Sequence, residues 1–150
     1  MVILYRDEQI NTISNNLNIP KVLVKQVITS YIGYLSKKID EGKPVKFLNI
    51  CNIRVNGKID ETHETLAYIA TELSKEINQS SVVVKRILSN FEESIVYDLR
   101  HGFSYTIRGL IHLKMEGNIV NCRKSSKYQG RDVRVMMLGS FKRKVEGANA

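Results

Sequence analysis

Eight basic residues lie between Arg123 and Lys144: Arg123, Lys124, Lys127, Arg131, Arg134, Lys142, Arg143 and Lys144. Asp132 is the only acid in the interval. Lysine and arginine spaced along an extended segment offer a polyanion a ladder of charges and forked donors. Such a ladder tracks phosphates without reading bases. If about six of these side chains met phosphates, log affinity would fall against log salt with a slope near about −5. Arg108 and Lys114 project from a segment just upstream. They extend this candidate DNA-binding set or stand on a plain solvated face, because strand positions alternate. Double-stranded DNA is the partner that this chemistry points to.

The charge distribution supports the same reading. The chain of 150 residues carries a net +8. Residues 1–60 hold nine basic and five acidic groups, residues 61–100 four and seven, and residues 101–150 ten and three. The excess is concentrated at one end, as expected of a polyanion partner rather than of general solubility.

Other chemistry has weak support. His63, His101 and His112 stand apart from any ligand spacing. Cys51 and Cys122 read as idle thiols of a reducing compartment. Asp98, His101 and Ser104 are close in sequence but surround a helix end, without a nucleophile elbow. Glu92-Glu93 reads as a solvated helix face. No glycine loop for phosphates is present, so no cofactor and no enzyme is expected. No apolar run reaches the ~18–20 residues of a membrane span. Residues 1–7 lack a signal-peptide pattern, so the expected place is the cytoplasm, the nucleoid, or a virion if the gene is viral.

The elements that must position the basic residues come as a repeat. Residues 7–57 shifted by sixty fall on residues 67–117 without a gap. Val24, Val27, Ile28, Tyr31 and Leu35 fall on Val84, Ile87, Leu88, Phe91 and Ile95; Ile10, Ile13 and Leu17 fall on Ala70, Leu73 and Ile77. Each set has the i, i+3, i+4, i+7 spacing of a buried helix stripe. The first half predicts helices over about 7–17 and 20–41, stopped by Gly42. Strands follow over 45–48 and 52–55, where Lys46 and Arg54 alternate with apolar residues. The second half predicts helices over about 64–77 and 81–101, stopped by Gly102, then strands over 104–108 and 111–115. Residues 116–130 predict a basic arm turning at Gln129-Gly130, with a strand returning through Val133 and Val135. A short basic helix is expected over 141–145, followed by a small-residue tail.

Two helices, a glycine, a β-hairpin, a basic arm and a returning strand resemble the HU/IHF family of histone-like DNA-bending proteins. The first hairpin, Val45-Lys46-Phe47-Leu48-Asn49-Ile50-Cys51-Asn52-Ile53-Arg54-Val55, is similar to the family's hairpin, with Asn52 and Val55 keeping its letters. The second runs from Tyr105 to Met115 and keeps Gly109. Ser140-Phe141-Lys142 resembles the family's Ala-Phe-Lys after the arm. The resemblance implies an α+β fold of two tandem HU/IHF-like units, each a helix pair plus β-hairpin. The boundaries are 1–57 without an arm, a linker at 58–62, and 63–150 with the basic β-arm. It also implies an architectural protein that grips the duplex backbone with low sequence specificity. Family members pair as two-armed dimers; here two halves make an intramolecular, one-armed pseudo-dimer, or two chains form a homo-oligomer. The family's intercalating tip proline has no counterpart, since the only prolines are Pro20 and Pro44, and Tyr128 or Ile119 is the candidate wedge.

Two other readings compete. One is an HU/IHF-fold structural or interaction module with protein neighbours in a virus particle or other large assembly, favoured by the missing proline and arm. The other is a helix-turn-helix regulator around the break at Asn18-Ile19-Pro20. Against it, the following helix carries a continuous apolar stripe, as a packing helix does.

Overall fold

The computed structural model describes residues 7–55, 64–107, 111–124 and 133–147, apart from the side chains of Ile107 and Lys124. In chain order the elements are α1 (Asp7–Leu17), α2 (Lys21–Asp40), β1 (Val45–Phe47), β2 (Cys51–Val55), α3 (Leu66–Ile77) and α4 (Ser81–Arg100). They continue with β3 (Tyr105–Ile107), β4 (Ile111–Glu116), β5 (Ile119–Lys124), β6 (Val133–Met137) and α5 (Gly139–Glu146). The described residues thus form a mixed α+β fold with five helices and two small antiparallel sheets, ordered β1-β2-β6 and β3-β4-β5.

The helix boundaries follow from local chemistry. Asn18 and Asn78, sixty residues apart, both take the left-handed conformation, with φ of 54° and 56°. Asparagine tolerates that region because its short side chain bonds locally. After each, the next amide donates back into the helix just ended, Ile19 to the Ser14 carbonyl and Gln79 to that of Ser74. Pro20 then opens α2 at the cap position, with no side-chain cap bond, while the Ser80 hydroxyl accepts from the Val82 amide to open α4. Gly42 and Gly102 follow the long helices with φ of 73° and 88°, a conformation that side chains with a Cβ rarely adopt.

Apolar stripes from all four long helices meet in one core. Val24, Val27, Ile28, Tyr31 and Leu35 of α2 are buried, as are Val84, Ile87, Leu88, Phe91 and Ile95 of α4. Removing each such side chain from water contributes roughly 1.5–3 kcal/mol. The halves share this core: α1 packs on α4, and α2 on both α3 and α4. Polar contacts also cross between them. The Gln9 amide donates to Ser94 Oγ, and the Tyr34 hydroxyl donates to Glu64 Oε1 at 2.6 Å. The linker at 58–62 lies outside the described residues.

The repeat extends to strand register. Val45 pairs with Ile53 and Phe47 with Cys51; sixty residues on, Tyr105 pairs with Leu113 and Ile107 with Ile111. The third strands depart from expectation. After β4 the chain does not run on into an arm. It turns back through Gly117 and Asn118 alone, pairing Glu116 with Ile119, and residues 119–124 are β5. Gly117 takes φ of 63°, which a two-residue hairpin turn needs and glycine supplies. The strand at Val133 and Val135 forms as expected, but it returns to the other half. It lies antiparallel to β2, from Cys51↔Met137 to Val55↔Val133. The remainder of the expected arm, residues 125–132 with the Gln129-Gly130 turn, lies outside the described residues.

α5 is longer than expected, Gly139–Glu146, and buries Phe141 and Val145 while packing on α4 and β5. The sheets meet along β5 and β6. No described helix is long and apolar enough to cross a membrane.

Candidate nucleic-acid interface

Strand alternation sorts the sheet residues into two faces. On β2, Cys51, Ile53 and Val55 are buried in the core, which leaves Asn52 and Arg54 on the opposite face. The register then places neighbours beside them. Lys46, Asn52 and Met136 form one cross-strand row, and Arg54 and Arg134 are direct partners in the next. Directly opposed side chains sit about 4.5–5.5 Å apart at Cβ, where like charges repel. An anion placed between two guanidinium groups would offset that repulsion, and Arg54 also has another partner.

The second sheet carries a matching face. Thr106, His112 and Arg123 form one row, Lys114 and Asn121 the next, and Glu116 and Ile119 the last. Lys114 stands sixty residues from Arg54 at the same register position. Arg123 reaches back to Glu116 Oε1 at 3.1 Å, an exposed pair that restrains the guanidinium at little energetic gain. His112 Nδ1 meets Thr106 Oγ1 at 2.6 Å. Because β5 and β6 adjoin, the two faces together carry Lys46, Arg54, Arg134, Lys114 and Arg123 against a single described carboxylate, Glu116.

The expected basic residues are therefore divided among different surroundings. Arg123, Arg134 and Lys114 share the strand face. Lys142, Arg143 and Lys144 are exposed on α5. Lys144 is already engaged: its Nζ donates to Glu92 Oε2 at 3.0 Å. The backbone of Lys124 ends β5. Arg108, Lys127 and Arg131 lie outside the described residues. Lys46 and Arg54 were missed as binding candidates although their alternation with Val45, Phe47, Ile53 and Val55 had marked them as facing away from the core.

Glu92 corrects a second expectation. It is not a solvated helix residue but is 4% exposed. Its Oε1 accepts from the Asn49 amide at 2.8 Å and its Oε2 from Lys144. One carboxylate of α4 thereby ties the β1–β2 turn to α5. Tyr31 holds the same turn from α2. Its hydroxyl donates to the Lys46 carbonyl at 2.7 Å and accepts from the Leu48 amide at 2.6 Å. Leu48 has φ of 52°, a strained value for leucine, so the turn is fixed from both halves of the chain.

The remaining reactive groups are subdued by their surroundings. Burial pushes the Cys122 thiol up to about 11 and raises that of Cys51 well above its ordinary value. Both stay protonated near neutral pH, which removes the thiolate that nucleophilic chemistry needs. His101 Nδ1 meets the Tyr97 carbonyl at 2.7 Å, and Asp98 Oδ2 accepts from the Tyr105 hydroxyl at 2.7 Å; neither contact orients an imidazole on a serine. Among the described residues no three His, Cys, Asp or Glu side chains come together as metal ligands. Comparison of the chain with family models, curated proteins and solved structures finds no match.

Proposed function

We propose that this chain is an HU/IHF-like architectural DNA-binding protein, an intramolecular pseudo-dimer that grips the duplex backbone with low sequence specificity. The observation that carries this reading is the joined strand face. Lys46, Arg54 and Arg134 share the outward face of one sheet and Lys114 and Arg123 that of the other, the sheets adjoin at β5 and β6, and the β1–β2 and β3–β4 registers repeat at sixty residues. Basic side chains fixed on paired strands track phosphates, and none lies on a helix built to enter a major groove. Lys142 and Arg143 on α5 add charge; Lys144 serves the Glu92 tie first.

The test is fluorescence anisotropy of a short duplex across a salt series, with a variant carrying Arg54→Ala, Arg134→Ala, Lys114→Ala and Arg123→Ala. Up to four lost phosphate contacts flatten the log–log slope by as much as about 3.6, at about 0.9 each. Identical curves for the two proteins overturn the assignment to this face. Absence of binding at low salt overturns DNA as the ligand.

A second reading rests on the Gly117-Asn118 turn, which closes β4 and β5 without an extended arm. Ile119 and Met136 stand 59% and 63% exposed on the same strand face. Apolar side chains there suit an HU/IHF-fold interaction module with protein neighbours in a large assembly. In that case the four-alanine variant leaves assembly intact while Met136→Asp disrupts it.

A further inference from the structure

The repeat creates two clefts at equivalent places, one between α1 and α4 and the other between α2 and α3. Their linings have diverged. Between α2 and α3 the charges cancel within the wall: Lys38 pairs with Glu64 at 2.9 Å, Lys43 with Glu41 at 3.6 Å and Lys75 with Glu72 at 4.0 Å. Between α1 and α4 the lysines are replaced. Tyr97, Asp98 and Phe103 stand sixty residues from Lys37, Lys38 and Lys43. That cleft holds about 530 Å³, and no lysine, arginine or histidine is among its described lining residues. The volume lies within the ~300–1,000 Å³ usual for small-ligand sites.

Gln9 is a second, independent sign of a ligand. It lines this cleft at 3% exposure, where the other half buries Ile69. Its orientation is set by its neighbour. Ser94 has one hydroxyl proton and donates it to the Phe91 carbonyl at 2.7 Å, so Ser94 Oγ must accept from the Gln9 amino group. That leaves Gln9 Oε1 buried without a hydrogen-bond partner among the described residues. An orphaned buried acceptor is costly, and an isoleucine in the same place would avoid the cost. A donor brought in from the cleft would complete Oε1. Glu93 on the rim supplies negative charge; Tyr97 and Phe103 are exposed beside it, with one face of the Tyr97 ring stacked on His101 at 4.0 Å.

We infer that the α1–α4 cleft binds a small organic cation, an ammonium or guanidinium group on an apolar or aromatic body, with Gln9 Oε1 and Glu93 as its acceptors. The site shares no residue with the basic strand face and stands or falls apart from the DNA reading.

The experiment is a titration of the full chain with agmatine and with tyramine, followed by backbone amide shifts, with 4-ethylphenol as the uncharged control. Expected are saturable shifts at Gln9, Ser94, Tyr97 and Phe103, none at Ser30, Tyr34 or Lys37 of the other cleft, and none with 4-ethylphenol. Gln9→Met raises the unfolding midpoint yet weakens binding about tenfold or more, and Glu93→Gln weakens it with the midpoint unchanged. Equal shifts in both clefts, saturation by 4-ethylphenol alone, or no saturable shift with either amine overturns the site. A Gln9→Met protein that binds normally removes Gln9 from it and overturns the assignment as drawn.

Discussion

The two sheets reach the same three-stranded plan by opposite routes. The second closes its third strand locally, through two residues, Gly117 and Asn118. The first has no such strand next in sequence, because the chain leaves β2 for α3, and it takes β6 from the far end instead. The difference shows that a sheet specifies the edge to be filled, not the sequence distance of the segment that fills it. The helix that follows β6 does not stay with the first half: α5 packs back on α4 and β5, with Phe141 and Val145 buried and Lys144 on Glu92.

The largest break in this comparison is Phe141→Ala. The ring is fully buried, so its loss costs about 3–5 kcal/mol in urea unfolding. It should also loosen β5 on β4, the strand pair that α5 packs against, more than β6 on β2, as hydrogen exchange would read. Next is Tyr31→Phe, which orphans the buried Leu48 amide and costs about 1–3 kcal/mol. The equivalent position in the other half is already Phe91, so no like substitution is open there. Burial raises the Tyr31 hydroxyl above its ordinary value, so its stabilisation is complete below about pH 10 and fades as pH rises further. The phenylalanine variant should lack that part of the alkaline loss.

The strand faces are compared by salt dependence. Arg54→Ala with Arg134→Ala, and Lys114→Ala with Arg123→Ala, should each flatten the slope by up to about 1.8. Equal slopes would show that the two sheets share the duplex evenly. The smallest effect belongs to the left-handed asparagines. Asn18→Gly and Asn78→Gly should each shift stability by only a few tenths of a kcal/mol and by the same amount, if the two helix ends are equivalent. Paired thermal melts read this directly.

Much of this was legible in sequence because its signals are local. The stripes at Val24–Leu35 and Val84–Ile95 marked the core helices, and Gly42 and Gly102 their ends. The turn at Gly117-Asn118 was also legible: a glycine-asparagine pair between alternating segments is a hairpin signal, and the basic run after it drew the reading toward an arm instead. The partner of β6 was not legible. Alternation says which face Val133 and Val135 present, not which edge they join. Glu92 was hidden for a related reason. Beside Phe91 on the helix it looks like any rim carboxylate, and only the remote Asn49 amide and Lys144 make its burial tolerable. The candidate site suffered most, since a joined face built from β1, β2, β4, β5 and β6 exists only after the strands are ordered.

The pairing of Val55 with Val133 also sets a timetable. A ribosome releases β2 long before it makes β6, so through that interval one flank of β2 offers unpaired amides and carbonyls to any passing strand. The residues that close it, Val133–Met137, are made only after both helix pairs. Folding of the first half therefore finishes only after the second half has been made, and a ribosome stalled before Val133 presents the cell with a sticky intermediate rather than a smaller working protein.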